Sequence, residues 1–502
     1  DGIPATANYH LMRDILRGEM GFDGVLISDF AAIKETIAHG YSENEKDAAE
    51  KCLRAGVDID MMTSVYAKHA GELIETGVLQ QSILDESVMR ILELKNKLGL
   101  FENPYKDADA EKEKNFLLCQ THREAARKAA ANSLVLLKNE GILPLSLNQK
   151  NAFIGPYVNE KHLLSTWAFT GDVNDCVSIR EAAEEVFDKR KTNYMEGCPM
   201  LDPKYSEKQL RRKINRESYS RRMIEEMIEQ ACIRATMADT VIMPLGEYYL
   251  LSGEATSRGI LELPEVQLEL LEAVARVNPN IVVLIFSGRP LDLRRVDKLA
   301  KAVLEVWLPG TEGGHAIIDV LTGKINPSGK LPVSFPYCVG QIPVYYNHLS
   351  TGRKDFSECG DHFRSRYIDI PNEPLYPFGY GLSYTKFEIS SVELNNTKLS
   401  VGENITASVI VKNVGEYAGA ETLQLYIQDV TASVTRPVKE LKGFRKIYLE
   451  KGESRKVSFE VNEEMLRFVR ADGTIGSEPG LFRIWIGNSS EVDAYKEFYL
   501  LQ

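Results

Sequence analysis

The sequence predicts a multidomain α/β protein that ends in a β-sandwich. The chain has 502 residues, which at about 150 residues per domain corresponds to about three domains. Up to about residue 335, short apolar runs alternate with amphipathic helical stretches, as is typical of βα units on a parallel sheet. From about residue 389, apolar and polar positions alternate between turns, which indicates short antiparallel strands of an immunoglobulin-like sandwich.

Composition and charge exclude several classes of protein. Apolar residues make up 44% and charged residues 26%, which are ordinary values for globular domains. The net charge of −12 argues against a nucleic-acid surface, and no apolar run is long enough to span a bilayer. The seven cysteines form no C-x-x-C pair, which predicts neither a zinc site nor a dense disulfide framework. We therefore expect no nucleic-acid partner, no membrane span, no cofactor and no catalytic metal.

Residues 1–105 contain two strand candidates, GVLISDF (24–30) and VDIDMM (57–62). A helical stretch at 43–56 separates them, and two more helical segments follow between about 64 and 99. A (β/α)₈ barrel needs about 250 residues, so this region could be the tail of a barrel but not a complete one. A charged stretch without apolar periodicity then predicts a linker over 106–125.

The second α/β block is predicted over 126–340. Its strand candidates are continuously apolar, as expected where helices cover both faces of a sheet. They lie at 133–139, 151–156, 240–247, 280–288 and 302–310. Within this block, the stretch 204–236 is rich in basic residues, and we interpret it as a solvated helical face because acidic residues interleave it. Its cations include Arg211, Arg212, Lys213, Arg216, Arg221 and Arg222. A Pro-, Gly- and Tyr-rich linker over 341–388 leads to the predicted sandwich over 389–502.

Asp29 is the first candidate for chemistry, because it follows the apolar run GVLI directly. The carboxyl ends of parallel strands form the ligand face in such folds, so this carboxylate could act as a nucleophile, a general base or a metal ligand. The alternative is that Asp29 merely caps the next helix. Asp58 and Asp60 are competing candidates in the next strand. One of them could orient Asp29 or a ligand, or they could simply be hydrogen-bonded interior acids of the barrel.

The second candidate is the loop GEYYLLSGEATSR (246–258), which follows the apolar run TVIMPL. A carboxylic acid among aromatic rings can have the raised pKa that a general acid needs, and Glu247 and Glu254 lie beside Tyr248 and Tyr249. Alternatively, Glu254 forms a surface ion pair with Arg258. The sequence contains no P-loop, no HExxH and no GxSxG, so carboxylate chemistry remains.

Several long segments of the chain resemble glycoside hydrolase family 3. GFDGVLISDFAAI is similar to the family's nucleophile segment, and SGEATSRGILELPEVQ is similar to its acid/base loop. The resemblance continues in family order with three further segments and ends in the fibronectin-III-like region. These are NSLVLLKNEGILPL, LPGTEGGHAIIDVLTGKINPSGKLPVSFP, YPFGYGLSYTKF and then RPVKELKGFRKIYLEKGESRKVSFE. QIPVYYNHLSTGR and SRYID are most similar to bacterial periplasmic β-glucosidases of this family.

The resemblance implies a retaining, exo-acting β-glycosidase that hydrolyses terminal β-D-glucosyl residues through a covalent glycosyl-enzyme. It implies that Asp29 is the nucleophile and Glu254 the acid/base, in a cleft where their carboxyl groups lie about 5–5.5 Å apart. The expected substrate-binding residues are Phe30, Ser252 and Arg258. Phe30 stands where many family members have Trp, and Arg258 is also expected to hold the acid/base loop.

The resemblance also has consequences for partners and location. Family members begin with most of the barrel, so we expect activity to require the missing barrel segment or a chain that supplies it. The expected substrate is a β-glucoside or oligosaccharide, the expected location is periplasmic or secreted, and a homodimer is one assembly to consider. The alternatives are a β-xylosidase or α-arabinofuranosidase of the same family, and a non-catalytic carbohydrate-binding scaffold.

Overall fold

The computed structural model describes residues 2–106, 108–168, 171–203, 219–350 and 365–501. They belong to two compact units, residues 1–117 and 118–502. Four of the cations singled out above lie outside the described residues: Arg211, Arg212, Lys213 and Arg216. Within the described ranges, no helix combines the length and apolar composition needed to cross a bilayer.

The first unit is mainly helical. Its α-helices are α1 (Ala32–Ala38), α2 (Glu45–Ala55), α3 (Val65–Glu75), α4 (Gln81–Lys97) and α5 (Ala110–Phe116), preceded by a wide π-type helix over His10–Glu19. Helix α2 begins where the Asn44 side chain accepts the amide of Asp47, and it ends at Gly56, whose φ is 87°. The positions i, i+3 and i+4 of α2 and α3 build a small apolar core that includes Leu53 and Leu73.

The two strand candidates of this unit run side by side but form only one parallel bridge, between Ile27 and Ile59. The backbone of Ser28 donates to the carbonyl of Ile59, and that of Asp58 donates to the carbonyl of Leu26. Full strands were expected here. A two-stranded pair is marginal without further neighbours, and the side chain of Ile27 is 54% exposed.

The predicted linker over 106–125 is largely helical. The carboxylate of Asp109 accepts the amides of Glu111 and Lys112 and so starts α5, although this short helix buries no side chain. Helix α6 (Gln120–Ser133) begins three residues after α5 and leads into the second unit. The boundary between the two units, at residues 117 and 118, falls inside the predicted linker.

The second unit begins with a six-stranded sheet in the order β1-β6-β5-β4-β2-β3. The strands are β1 (Val135–Asn139), β2 (Asn151–Ile154), β3 (Thr192–Met195), β4 (Thr240–Gly246), β5 (Ile281–Phe286) and β6 (Ala302–Glu305). All neighbouring pairs are parallel except β1 with β6. The side chains alternate between two apolar cores, one on each face of the sheet.

Helices cover both faces of this sheet. They are α6, α7 (Ile179–Val186), α8 (Arg221–Thr236), α9 (Glu265–Val277), α10 (Arg294–Leu299) and α11 (Gly313–Leu321). Helix α7 begins with a capping box in which Ser178 and Glu181 satisfy each other's amides. At the start of α11, a Cβ on Gly314 would lie 2.3 Å from the carbonyl oxygen of Ser178, so the glycine-rich turn allows these two helices to pack closely.

The C-terminal part is a two-sheet β-sandwich, as the sequence pattern predicts. One sheet is built on β10 (Asn404–Asn413) between β13 (Ser454–Asn462) and β7 (Phe387–Ile389), with β8 (Glu393–Leu394) also paired to β10. The other sheet has the order β12 (Glu440–Leu449), β11 (Gly419–Asp429), β16 (Gly480–Gly487), β17 (Lys496–Leu500) and β9 (Lys398–Leu399). A small ribbon joins β14 (Phe468–Val469) and β15 (Ile475–Gly476). The inward-facing residues of both sheets form one core.

Asp429, at the end of β11, is a buried acid whose Oδ2 lacks a hydrogen-bond partner. Burial raises the pKa of Asp429 to about 6, against the opposing effects of the Thr431 amide and Arg436. Because this value lies above that of the unfolded chain, the folded state binds more protons between about pH 4 and pH 6. Proton binding by Asp429 therefore stabilises the folded state at low pH, and this contribution to the free energy of unfolding is lost as the pH rises from about 4 to about 6.

We therefore predict that Asp429→Asn stabilises the sandwich by about 1–2 kcal/mol at pH 7.5 and has little effect at pH 4.5. Scanning calorimetry of the variant at both pH values measures this difference. Glu460→Gln, an exposed acid on β13, is the matched control and should leave both transitions unchanged. A stabilisation by Asp429→Asn that is equal at both pH values would contradict the assignment.

Candidate active site

Asp29 lies immediately after the bridged segment of the first unit and its side chain is exposed. Its Oδ1 accepts the amide of Phe30 at 2.7 Å, and its carbonyl accepts the amide of Ala32 at 3.1 Å. The helix-cap alternative is wrong, because Ala31 occupies the N-cap position of α1 with φ 62° and no side chain caps that helix. Phe30 is 61% exposed, so its ring is available for contact with a ligand.

Asp58 is a buried structural acid. Its Oδ2 accepts the amide of Leu26 at 2.9 Å and Nη2 of Arg17 at 3.0 Å, while its Oδ1 accepts Nη2 of Arg90 at 2.8 Å. A buried carboxylate held by two guanidinium groups and a backbone amide is fixed in place. Asp58 thus fastens the segment that carries Asp29 to two helices.

Asp60 organises the start of α3. Its Oδ2 accepts the amide of Val65 at 2.6 Å, and its Oδ1 accepts the hydroxyl of Thr63 at 2.5 Å. Of the two alternatives for these acids, the hydrogen-bonded structural role is therefore the one that the described contacts support.

The loop 246–258, called the acid/base loop below, leaves the carboxyl end of β4. Glu254 is exposed, and no hydrogen bond or ion pair involves its carboxylate within the described part of the chain. The backbone on both sides is unusual, with φ 127° at Gly253 and φ 55° at Ala255. A Cβ at residue 253 would lie 2.1 Å from Oγ1 of Thr166, so only glycine allows this close approach.

Arg258 does not pair with Glu254, so the predicted surface ion pair is wrong. Its Nη1 donates to Oε1 of Glu247 at 2.6 Å, and its Nη2 donates to the carbonyl of Glu262 at 2.9 Å. The Arg258 side chain is almost buried, and its contacts with Glu247 and Glu262 hold the end of the loop. Arg258 is therefore not available to pair with Glu254. Ser252 is half-buried, and its carbonyl accepts the hydroxyl of Thr166 at 3.1 Å.

An aromatic and ionic cluster packs against the acid/base loop. The ring of Tyr249 stacks on His162 at 4.5 Å and contacts Tyr248 edge-on at 4.7 Å. Nδ1 of His162 lies 2.7 Å from Oε1 of Glu160, and this hydrogen bond raises the pKa of the imidazole. Tyr248 and Tyr249 could be predicted to lie near Glu254 because they belong to the same loop. Glu160 and His162 could not be predicted, because no sequence motif around them indicates that they contact this loop.

Sequence reasoning also missed Arg289, which donates hydrogen bonds to the carbonyls of Leu251 and Thr256 in the loop. It lies three residues beyond β5, the strand next to β4, so its position at a strand end was an available signal. As for metals, the described residues contain no group of three or more His, Cys, Asp or Glu that could hold an ion.

The chain matches three family models in the expected order. The Glycosyl hydrolase family 3 N terminal domain matches residues 1–94, and the Glycosyl hydrolase family 3 C-terminal domain matches residues 134–384. The Fibronectin type III-like domain matches residues 421–490. These matches confirm the predicted fold class: part of a barrel, then an α/β domain, then a fibronectin-type sandwich.

Similar proteins cover the whole chain. A periplasmic beta-glucosidase of Salmonella typhimurium is 40% identical over 100% of this chain and 66% of its own length. A beta-xylosidase of Formosa agariphila is 34% identical over 99% of this chain and 67% of its length. The crystal structure of a beta-glucosidase from Listeria innocua in complex with isofagomine has a TM-score of 0.91 and 41% identity, covering 100% of this chain and 67% of the other. The chain thus spans about two thirds of the length of these relatives.

Proposed function

The chain belongs to glycosyl hydrolase family 3, and from this premise we propose that it carries the two catalytic carboxylates of a retaining, exo-acting β-glucosidase. The proposal rests chiefly on one observation: two exposed acids, Asp29 and Glu254, lie in segments that match the family's nucleophile and acid/base motifs. Within the described part of the chain, no hydrogen bond involves Oδ2 of Asp29 or either carboxylate oxygen of Glu254. The proposed substrate is a β-glucoside or oligosaccharide with a terminal, non-reducing glucosyl residue.

In the first step of the proposed reaction, an oxygen of Asp29 attacks the anomeric carbon. The bond between that carbon and the leaving oxygen breaks, its electron pair goes to the leaving oxygen, and Glu254 supplies the proton. The described contacts suit these roles. Oδ1 of Asp29 is held by the amide of Phe30, whereas no described hydrogen bond involves Oδ2.

In the second step, water hydrolyses the glucosyl ester. Glu254, now a carboxylate, takes a proton from the water as the water oxygen attacks the anomeric carbon, and Asp29 leaves as a carboxylate. Two inversions give net retention of configuration. Phe30, Ser252 and Arg258 are proposed to contact or position the sugar, with the Arg258 guanidinium acting mainly on the loop because its donors are engaged by Glu247 and Glu262.

The first unit is proposed to work with additional barrel units. Large apolar side chains are exposed on its surface at Met20, Ile27, Met89 and Phe101. Such a surface is expected where further strands and helices pack. Residues 1–502 alone should therefore hydrolyse aryl β-glucosides far more slowly than the same chain with a complementary barrel segment added. Equal rates would contradict this proposal.

Two finer points follow from the named relatives. The similarity to a periplasmic beta-glucosidase favours a periplasmic or secreted location, which cell fractionation tests. The similarity to a beta-xylosidase keeps β-xylosides as the second candidate substrate. A panel of nitrophenyl glycosides separates the two, since a β-glucosidase gives its highest kcat/KM with the glucoside.

The chain with its complementary barrel segment added is called the complete enzyme below. We predict that Glu254→Ala in the complete enzyme lowers kcat/KM for a glucoside with a poor leaving group, such as 4-methoxyphenolate, by about 10²–10⁴-fold. For 2,4-dinitrophenyl β-glucoside the loss should be small, because this leaving group needs no proton. Azide should restore kcat by attacking the glucosyl ester, with β-glucosyl azide as the product.

Glu269→Ala, which changes an acid on α9 of the same domain that pairs with Arg221, is the control and should show no such dependence on the leaving group. A loss that is equal for both substrates, without rescue by azide, would contradict the role of Glu254. Absence of turnover in the complete wild-type enzyme would favour the carbohydrate-binding scaffold instead.

A further inference from the structure

One guanidinium group holds both ends of the segment that carries Glu254. Nη2 of Arg289 donates to the carbonyl of Thr256 at 3.0 Å and also to the carbonyl of Leu251. These two carbonyls lie on either side of Ser252–Ala255. Because a guanidinium is planar and rigid, two carbonyls bonded to the same nitrogen have a fixed separation.

Arg289 is itself fixed by a buried carboxylate. Its Nε lies 3.2 Å from Oε1 and 3.3 Å from Oε2 of Glu247, whose side chain is 1% exposed. Oε1 of Glu247 also accepts Nη1 of Arg258 at 2.6 Å. One carboxylate at the end of β4 therefore orients two guanidinium groups. Arg289 then donates from Nη2 to two carbonyls of the loop, and Arg258 donates from Nη2 to the carbonyl of Glu262, just beyond the loop.

The base of this arrangement is rigid. The amide of Glu247 donates to the carbonyl of Phe286 at 2.8 Å, which continues the pairing of β4 with β5. The hydroxyl of Tyr157 donates to the carbonyl of Glu247. The acid/base loop also packs directly on the backbone that follows β5. A Cβ on Gly288 would lie 1.9 Å from Oγ of Ser252, so a glycine at this position allows the close approach.

The segment above this base needs such support. Ala255 has φ 55°, a left-handed conformation that is unfavourable for a non-glycine residue. Glu254 has no described partner of its own, so its position depends on the backbone that carries it. The contacts of Arg289 fix that backbone on both sides.

We propose that Arg289 is a positioning residue for general acid/base catalysis, acting on Glu254 through the carbonyls of Leu251 and Thr256. This inference rests on the proposed role of Glu254. Arg289 does not supply the proton and has no contact with the carboxylate of Glu254. Its role is to keep that carboxylate where it can reach the leaving oxygen, and Glu247 sets the direction of the guanidinium.

The test compares Arg289→Met, Arg289→Lys and Glu254→Ala in the complete enzyme. Methionine replaces the unbranched stem of the arginine side chain but removes every donor. Arg289→Met should lower kcat/KM for 4-methoxyphenyl β-glucoside by about 100-fold and that for 2,4-dinitrophenyl β-glucoside by less than about 5-fold. Arg289→Lys keeps the charge and one donor direction, so it should recover part of the loss for the poor leaving group.

Arg295→Met is the matched control, because Arg295 pairs with Glu265 and Glu272 elsewhere in the same domain. It should change neither kcat/KM value by more than about twofold. Thermal unfolding midpoints are measured in parallel, and if Arg289→Met does not fold, Arg289→Lys carries the comparison through its intermediate loss on the poor leaving group.

Two results would overturn the inference. If Arg289→Met or Arg289→Lys lowers kcat/KM by the same factor for both glucosides while Glu254→Ala discriminates between them, Arg289 has a structural role only and the proposed function stands. If Glu254→Ala does not discriminate between the glucosides, the acid/base assignment fails and the role of Arg289 fails with it.

Discussion

The acid/base loop depends on two ion pairs that the buried carboxylate of Glu247 forms with the guanidinium groups of Arg258 and Arg289. Removing a carboxylate from water is costly unless it is paired and hydrogen-bonded, and here Arg258 and Arg289 meet that requirement. In turn, Arg289 donates to two carbonyls of the acid/base loop, and Arg258, itself a loop residue, donates to the carbonyl of Glu262 just beyond it. The contacts of one carboxylate at a strand end therefore hold the loop that carries Glu254, whereas no described hydrogen bond or ion pair engages the Glu254 carboxylate itself.

The first unit uses the same physical device. Asp58 is a buried carboxylate held by Arg17 and Arg90, and its bond to the amide of Leu26 fixes the segment before Asp29. In both units, then, the proposed reactive acid is exposed, and a second, buried acid fixes the backbone near it. Asp58 does so on the segment beside Asp29, and Glu247 does so seven positions before Glu254. This division of roles is reasonable, because a carboxylate engaged by an arginine is a poor nucleophile and a poor proton carrier.

Much of the fold could be predicted from the sequence because its strands carry strong signals. β4 and β5 are continuously apolar, and the strands of the sandwich alternate clearly. β3 was missed because Thr192–Met195 contains polar residues and is largely only half-buried at the edge of its sheet. Helix α5 was missed because it buries no side chain and so has no apolar periodicity to detect; its signal is the capping residue Asp109.

The candidate acids could be identified from long sequence motifs. The arginines that hold the acid/base loop could not, because their contacts are made with residues that are distant along the chain. Arg258 and Glu254 are four positions apart, which suggested an ion pair, but the partner of Arg258 is Glu247, eleven positions away across the turn of the loop. Arg289 follows a different strand, and only the parallel pairing of β4 and β5 brings it to the loop.

A nucleophilic Asp29, as proposed, bonds covalently to the sugar during turnover. The direct measurement is to inactivate the complete enzyme with a 2-deoxy-2-fluoro-β-glucoside bearing a dinitrophenyl leaving group, and to map the digested peptides by mass spectrometry. We expect one added fluoroglucosyl group, on Asp29 in the peptide that contains GVLISDF. A label on another carboxylate, or complete inactivation with no label on that peptide, would contradict it.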